Sequence, residues 1–373
     1  MNADVVVVGA GLQGCGVALR LAQAGKSVLV LERSIPGAEA SSAAAGILSP
    51  GVEAVDPGPF YELCAASLDR YPAFVEEVER LTGLWVGFRR RGTLEVALDD
   101  RMAQVLAGRA AKLSRLGAAV DVLDGEAARR LEPALSPQAR GALYFSSEAS
   151  VDPRLLGRAL HLAAARSGAR FLSGQVRGVS YERDRVAGVD HESGRVSAPA
   201  VVLAAGAWTM QVQGNLLPPG AVRPVRGQIA VVDTRPPLLE RVVFSEKGYV
   251  VPRPDGRILC GSTMEEAGFE KAVTAGGLLH LLDLAVEIAP GVAGAPVVET
   301  WSNFRPGTPD GEPILGAGSA DGLFYATGHY RNGVLLTPVT AEVVSDAILG
   351  RRAAVDLEPF SSARLGAGRA SRP

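Results

Sequence analysis

The sequence predicts an α/β protein in which a Rossmann-like domain is interleaved with an antiparallel α+β domain. Residues 1–32 read as a strand, a glycine-rich turn, a helix and a second strand. Continuously apolar strands return near 199–205 and 323–328, as in sheets buried on both faces. Alternating strands fill 221–264, which is typical of sheets covered on one face only. The length of 373 residues suggests about two domains.

The first βαβ unit has the residues that a bound dinucleotide requires. Gly9 permits the tight turn, Gly11 lets the backbone approach the pyrophosphate, and Gly14 lets helix and strand pack closely. The helix N-terminus offers free N–H groups to the phosphates. Glu32, at the end of the second strand, is placed to bind the adenosine ribose and disfavours NADP. The motif predicts a dinucleotide but does not separate FAD from NAD, and the alternative is a purely structural tight turn.

Residues 33–47 are mostly alanine, serine and glycine and fit neither a helical nor a strand period. Small side chains would let this backbone lie against something large and flat. The alternative is a flexible loop.

The remaining elements follow from apolar spacing and from capping residues. Helices are predicted over 58–82, 99–117, 152–167, 274–288 and 337–349, and residues 122–136 resemble a short helix with its flanks. Strands are predicted over 88–97, 169–181, 185–191, 199–205, 227–232, 249–253, 257–261, 295–304 and 323–328. Asp152 and Pro153 give the helix at 152–167 an N-cap and a first-turn proline.

These elements predict two interleaved domains. Segments 1–80, 145–220 and 306–360 would form the nucleotide domain, segments 81–144 and 221–305 the second domain, and residues 361–373 a loose tail.

Composition excludes several classes of partner. The net charge of −2 gives no basic field for nucleic acid, and no apolar run approaches the roughly 20 residues that span a membrane. The start of the chain leads directly into a strand, without a signal-peptide region. Three separated cysteines and four scattered histidines predict neither disulfides nor a metal site. A cytoplasmic protein is the expectation.

Several segments together resemble the D-amino-acid oxidase family of flavoproteins, and within it the glycine oxidases linked to thiazole synthesis for thiamine. The matching segments are 41–47, 202–208, 249–253, 304–311 and 328–333, of which the last two discriminate best. The resemblance covers nearly the whole chain. It implies a three-layer FAD-binding domain of the glutathione-reductase type. No cysteine lies in 300–335 to link the flavin, so the FAD is expected to be non-covalent.

The resemblance also implies which residues hold the FAD. They are Gly9, Gly11, Leu12, Gln13 and Gly14 at the pyrophosphate; Glu32 and Arg33 at the ribose; Ala40, Ser41, Ala45, Gly46 and Ile47 along the flavin; Val176 at the adenine; and His329, Tyr330, Arg331, Asn332, Gly333, Val334 and Leu335 around the pyrimidine side of the ring.

Four residues are implied at the substrate. Arg305 would bind the amino-acid carboxylate, as a guanidinium does through two parallel hydrogen bonds. Tyr249 would donate its hydroxyl to the same group, Arg331 would face the substrate, and Met264 would line the pocket. The alternatives are a surface ion pair for Arg305 and a core tyrosine for Tyr249. Lys247 departs from the histidine expected before the tyrosine.

The activity implied is FAD-dependent oxidation of glycine, sarcosine or D-amino acids to a keto acid, ammonia or an amine, and H2O2. Its partners would be a small amino acid, dioxygen and further copies of the chain, and its product would feed thiamine thiazole synthesis. A dehydrogenase with another electron acceptor, a tRNA-modifying flavin enzyme and a binding module without turnover are the alternatives. The tRNA enzyme would need a phosphate-binding surface that the charge does not indicate.

Overall fold

A computed structural model describes residues 1–53, 58–115 and 118–366. The helices are α1 (Leu12–Gln23), α2 (Ala40–Ala43), α3 (Pro50–Glu53), α4 (Pro59–Thr82), α5 (Asp100–Arg115), α6 (Gly125–Leu131), α7 (Pro153–Arg166), α8 (Ala275–Ile288) and α9 (Thr337–Ile348). The strands are β1 (Val5–Val8), β2 (Val28–Glu32), β3 (Ile47–Leu48), β4 (Thr93–Ala97), β5 (Asp121–Asp124), β6 (Gly141–Phe145), β7 (Ala149–Ser150), β8 (Arg170–Ser173), β9 (Val176–Glu182), β10 (Arg185–His191), β11 (Gly194–Ser197), β12 (Ala200–Leu203), β13 (Arg223–Asp233), β14 (Val242–Ser245), β15 (Gly248–Pro252), β16 (Arg257–Gly261), β17 (Val297–Gly307), β18 (Ile314–Ala317) and β19 (Leu323–Thr327).

The first sheet has six strands in the order β18-β19-β12-β1-β2-β8. All neighbours are parallel except β18 and β19. Side chains of α1, α4, α7 and α9 form the core on one face, and the antiparallel sheet β9–β11 contributes to the core on the other. The result is three layers around a mostly parallel sheet, which confirms the predicted Rossmann-like class.

The second sheet has eight strands in the order β17-β13-β16-β15-β14-β4-β6-β5. It is antiparallel except for the pair β14 and β4. Helices α6 and α8 contribute to the core on one face. A smaller cluster from β13, β14, β15 and β16 faces Ala45 and Ile47 of the first sheet's connections. A separate, mostly antiparallel sheet was predicted and is confirmed; the boundaries of the two domains stay a prediction.

The glycine-rich turn requires its glycines for steric reasons. Gly9 has φ of +102°, and a Cβ there would lie 2.5 Å from the Ala204 carbonyl oxygen. A Cβ at Gly14 would lie 1.9 Å from the Gly9 carbonyl oxygen. No larger residue fits between the turn, α1 and β12 without moving backbone atoms.

Several predicted elements differ from those observed. The strand predicted over 169–181 is two strands, because the chain leaves the six-stranded sheet after β8 and enters the three-stranded sheet with β9. The short helix predicted within 122–136 is α6, and the strand β5 that precedes it was not predicted. The small-residue segment contains the short helix α2. Residues 116–117 of the predicted helix 99–117 lie outside the described residues.

The loose tail predicted from residue 361 is wrong for its first part. Ser362–Gly366 form a 3-10 helix, and Arg364 pairs with Asp310 at 2.8 Å with its side chain 7% exposed. The ion pair between the buried Arg364 guanidinium and Asp310 therefore holds this turn against the rest of the protein. Residues 367–373 lie outside the described residues.

None of the helices that the structure describes is long and apolar enough to span a bilayer.

Candidate active site

A long cleft runs between the two sheets, from the end of β2 to Tyr249 near the start of β15 and Arg305 near the end of β17. Most of the predicted site residues line it: Gly9, Gly11, Leu12, Gln13, Glu32, Arg33, Ala40, Ser41, Ala45, Gly46, Ile47, Val176, Tyr249, Arg305, His329, Tyr330, Arg331, Asn332, Gly333 and Val334. Three do not. Gly14 lies beneath the turn, Met264 lies at the rim, and Leu335 is a core side chain at 1% exposure whose carbonyl binds Ser67.

The start of α1 forms one wall of the cleft. The helix has no capping side chain and no acid in its first turn. The Leu12 amide donates to the Ser41 hydroxyl at 3.0 Å, and a Cβ on Gly11 would lie 3.0 Å from the same oxygen. Helix amides beside an unsubstituted Cα form a cradle suited to phosphate oxygens.

The far end of the cleft is built around Glu32 and an aromatic residue. The Glu32 carboxylate accepts the Ala10 amide at 2.8 Å and the Ser34 amide at 3.0 Å, which ties the turn to β2. Arg33 lies 3.9 Å over the Trp208 ring. Trp208 lines the cleft although it was not among the predicted contacts; its place after the apolar strand β12 was the available signal.

Gln13 carries a buried polar atom without a partner. Its Nε2 donates to the Gly333 carbonyl at 2.6 Å, whereas Oε1 has no hydrogen-bond partner among the described residues. Buried polar atoms are nearly always paired, so the orphan oxygen points to a bound group in the cleft. Nearby, His329 binds Thr340 at 3.0 Å, and burial lowers the pKa of His329 to about 3. This imidazole is neutral at physiological pH.

The small-residue segment is held by the second sheet. Arg253 donates to the carbonyls of Ala45 at 2.9 Å and Val151 at 3.3 Å, and lies 3.8 Å from Asp152. Trp301 donates to the Ala43 carbonyl at 3.0 Å. These bonds fix the loop against the cleft. Arg253 lies within the matching segment 249–253, but its role in holding this loop was not predicted from the sequence.

Arg305 presents an unneutralised cation to the cleft. Its guanidinium donates to the Ser262 hydroxyl at 2.6 Å and the Thr263 carbonyl at 3.1 Å. It lies directly against Gly227, where a Cβ would be 2.2 Å from Nη1. In the part of the chain that the structure describes, no carboxylate pairs with it. Such a guanidinium is available for an anionic ligand.

Tyr249 lies in the same way on a glycine of the neighbouring strand. Its ring covers Gly261, where a Cβ would be 2.4 Å from Cε2, and packs edge-on against Phe244 with centroids 5.4 Å apart. The hydroxyl has no hydrogen-bond partner within residues 1–53, 58–115 and 118–366. It is therefore a donor available to a ligand.

Arg331 is already paired. Its Nε lies 2.9 Å from Glu53, which raises the pKa of Arg331. Met264 is 57% exposed, and its sulfur accepts the Tyr330 hydroxyl at 3.4 Å. Lys247 does not line the cleft, because it pairs at 2.5 Å with Glu287 on α8. Arg305, rather than Arg331, is thus the cation open to an anion.

The cysteines lie away from this chemistry. Cys15, Cys64 and Cys260 are buried and form no disulfide, and burial raises the pKa of Cys15 and of Cys260 to about 12. Within the described residues, no group of three or more His, Cys, Asp or Glu side chains is placed to hold a metal ion.

Comparison with known proteins gives one consistent result. Residues 4–347 match the family described as DAO, FAD dependent oxidoreductase. Glycine oxidase of Geobacillus kaustophilus is 35% identical over 366 residues, 97% of each chain, and its crystal structure superposes with a TM-score of 0.93 over 96% of this chain and 98% of that chain. The bifunctional protein ThiO/ThiG of Synechocystis sp. is 35% identical over 98% of this chain, which spans 54% of that protein. Iminodiacetate oxidase of Chelativorans sp. BNC1 has a TM-score of 0.88 at 30% identity, over 96% of this chain and 98% of that chain.

Proposed function

The chain belongs to the DAO family of FAD-dependent oxidoreductases, and on this premise we propose that it oxidises glycine and related small amino acids with dioxygen as electron acceptor. Oxidation would give the imino acid while dioxygen is reduced to H2O2, and water would then hydrolyse the imine to a keto acid and ammonia or an amine. The observation that carries the proposal is Arg305, a cation without a carboxylate partner among the described residues, in the same cleft as the glycine-rich turn.

The residues of the cleft fit FAD. The start of α1, whose N-cap residue Gly11 has no side chain, suits a pyrophosphate, Glu32 would bind a ribose hydroxyl, and the orphan Oε1 of Gln13 would accept from a bound donor. When bound, the flavin supplies the two-electron oxidation by accepting hydride from the substrate carbon and passing the electrons to dioxygen.

The chain's own residues bind and orient the substrate. Arg305 would hold the carboxylate through two parallel hydrogen bonds, and the Tyr249 hydroxyl would donate a third. Fixing the carboxylate at one end sets the position of the Cα–H bond, which makes the reaction effectively unimolecular. His329 is no base for the amine, because it is buried against Thr340. The ammonium proton would leave to water.

The relatives are also the basis on which we propose a place for this reaction in metabolism. Similarity to ThiO/ThiG supports a supply of oxidised glycine to thiamine thiazole synthesis. A cytoplasmic location and assembly into a homo-oligomer belong to the same proposal. Deletion of the gene should then create a requirement for thiamine or its thiazole.

The first test is anaerobic mixing of the purified holoenzyme with glycine, followed through the visible absorbance of the flavin. Bleaching, then recovery with one H2O2 per turnover on admission of air, supports the proposal. Bleaching without peroxide identifies a dehydrogenase with another acceptor. Absence of bleaching with glycine, sarcosine and D-alanine overturns amino-acid oxidation.

Arg305→Lys tests the carboxylate contact. Lysine keeps the charge but loses the two parallel hydrogen bonds, so kcat/KM for glycine should fall about 100-fold, roughly the 3 kcal/mol of a charged hydrogen bond. Arg223→Lys is the matched control, because Arg223 pairs with Glu266 at 3.2 Å on the exposed end of β13. Equal kinetics in both variants would contradict the role of Arg305.

A further inference from the structure

The segment after β16 supplies both protein acceptors of the Arg305 guanidinium. Ser262 offers its hydroxyl at 2.6 Å and Thr263 its carbonyl at 3.1 Å. A guanidinium is planar, so two acceptors on one side decide where its other N–H groups point. The direction of Arg305 therefore depends on where this segment lies.

Backbone and hydroxyl bonds fasten the segment to β13. Glu265 and Arg226 exchange amide–carbonyl bonds of 3.0 Å and 2.9 Å. The Thr263 hydroxyl accepts a hydrogen bond from the backbone N–H of Gln228 at 2.9 Å. Both contacts are made by Thr263 or Glu265, which are the same as, or close in sequence to, the residues that accept from Arg305.

The Glu265 carboxylate connects these contacts. Its Oε1 accepts the Thr263 hydroxyl at 2.5 Å and the Gln228 amide nitrogen at 2.7 Å. Its Oε2 accepts two N–H groups of Arg226, one of them from Nε at 3.1 Å. The Arg226 side chain is 8% exposed and Gln228 is fully buried. The N–H groups of Arg226 and Gln228 are therefore largely shielded from water that could replace a lost carboxylate.

The same cluster is anchored to α8. Gln228 accepts the Thr274 amide at 2.8 Å and donates to the Thr274 hydroxyl at 3.1 Å, and Thr274 caps the helix. Gly277 leaves room for this amide, since a Cβ there would lie 2.5 Å from it. The anchor makes the cluster rigid on the side away from the cleft.

We infer that Glu265 is a positioning residue, which holds Ser262 and Thr263 so that the Arg305 guanidinium faces the substrate carboxylate. The inference rests on the proposed function, because Arg305 must bind that carboxylate. Glu265 itself does not line the cleft. Gly227, which lies beneath the guanidinium, has no side chain that could hold it in place. A displacement of segment 262–265 should therefore move Arg305 as well.

Glu265→Gln tests the positioning role, because glutamine has nearly the same shape as glutamate but no charge. The amide keeps one acceptor oxygen but places an NH2 group at the other position, so either Thr263 and Gln228 or Arg226 loses its acceptor. KM for glycine should rise about tenfold while kcat falls by no more than about threefold, since a weakened clamp loses binding energy that the carboxylate has in substrate and transition state alike. The dissociation constant of acetate, read from the flavin spectrum without turnover, should rise by the same factor.

Glu266→Gln is the matched control. Glu266 is the next residue, is exposed, and pairs with Arg223 only at the surface. It should leave KM and the acetate constant unchanged. Glu265→Asp, which keeps the charge, should recover part of the lost affinity, as a merely space-filling role would not.

The outcomes separate the two proposals. If the wild-type enzyme neither reacts with glycine nor binds acetate, the proposed function fails. If the wild type does both and Glu265→Gln has wild-type KM and acetate affinity, the positioning role is overturned and the proposed function stands. If Glu265→Gln does not retain FAD, Thr263→Val takes its place. Raised KM and acetate constants in that variant support the role, and unchanged values overturn it.

Discussion

Two glycines determine how the candidate substrate residues lie on the second sheet. Gly227 in β13 underlies the guanidinium of Arg305, and Gly261 in β16 underlies the ring of Tyr249. In each case a side chain from the adjacent strand lies flat over a Cα that has no substituent. A methyl group at either position would push the functional group away from the sheet and into the cleft.

Gly261→Ala should therefore displace Tyr249. A Cβ 2.4 Å from Cε2 forces the ring to move, and we expect kcat/KM for glycine to fall at least as far as in Tyr249→Phe, which loses only the hydroxyl. Steady-state kinetics of both variants measure this. Gly108→Ala is the control: nothing lies within 4 Å of its Cβ in α5, so activity should not change and stability should rise by about 0.5–1 kcal/mol. Wild-type kinetics in Gly261→Ala would contradict the steric argument.

Some residues of the candidate site could be predicted from the sequence, and others could not. The glycine-rich turn was predictable because its spacing reflects contacts within one βαβ unit. Ser262, Thr263 and Glu265 were missed, since their contacts with Arg305 and Arg226 join strands that are far apart in the sequence. Leu335 was predicted at the cofactor only because it follows the cleft residues 329–334 in the sequence. Its side chain belongs to the core.

At the scale of elements, α7 shows which boundaries a sequence specifies. Asp152 accepts the amides of Arg154 at 2.9 Å and Leu155 at 3.1 Å, as its position before Pro153 predicted. The same carboxylate lies 3.8 Å from Arg253, which holds the small-residue segment. Strands β8 and β9 were not separated in advance, because alternating burial does not say which sheet a strand joins.

Asp152→Ala should lower the free energy of unfolding by more than a helix cap alone. The cap is worth about 1 kcal/mol, and loss of the carboxylate also leaves the guanidinium of Arg253 with one fewer partner. Asp124→Ala, at the N-cap of the exposed helix α6, is the comparison and should lose only the cap. Equal losses in urea unfolding of the two variants would show that the contact with Arg253 adds nothing.

At the scale of the whole molecule, a buried carboxyl group joins the chain that follows β6 of the eight-stranded sheet to α3. Glu148 lies between β6 and β7 and accepts the Gly51 amide of α3 at 2.7 Å, while its second oxygen has no partner among the described residues. Burial raises the pKa of Glu148 to about 8, against the opposing effect of the Gly51 amide. The folded protein therefore holds this proton well above the ordinary glutamate range.

The stability should fall as the pH rises through that interval. A folded-state pKa above the unfolded value means that the folded state binds more protons, so the contribution is complete below about pH 4.5 and is lost as the pH passes about 8. Glu148→Gln should flatten the decline in thermal midpoint between pH 5 and 8. Asp190→Asn should leave the slope as it is, because hydrogen bonding from Arg195 lowers the pKa of Asp190 out of this range. An unchanged slope in Glu148→Gln would refute the assignment.

The strand order of the first sheet has a consequence for synthesis on the ribosome. β1 is the first strand made, yet its neighbour β12 begins at Ala200, and β19 beside β12 begins at Leu323. Residues 329–334, which line the cofactor cleft, emerge later still. A nascent chain thus carries an unfinished sheet until β19 has been made, and tight uptake of FAD would become a marker that translation has passed residue 334.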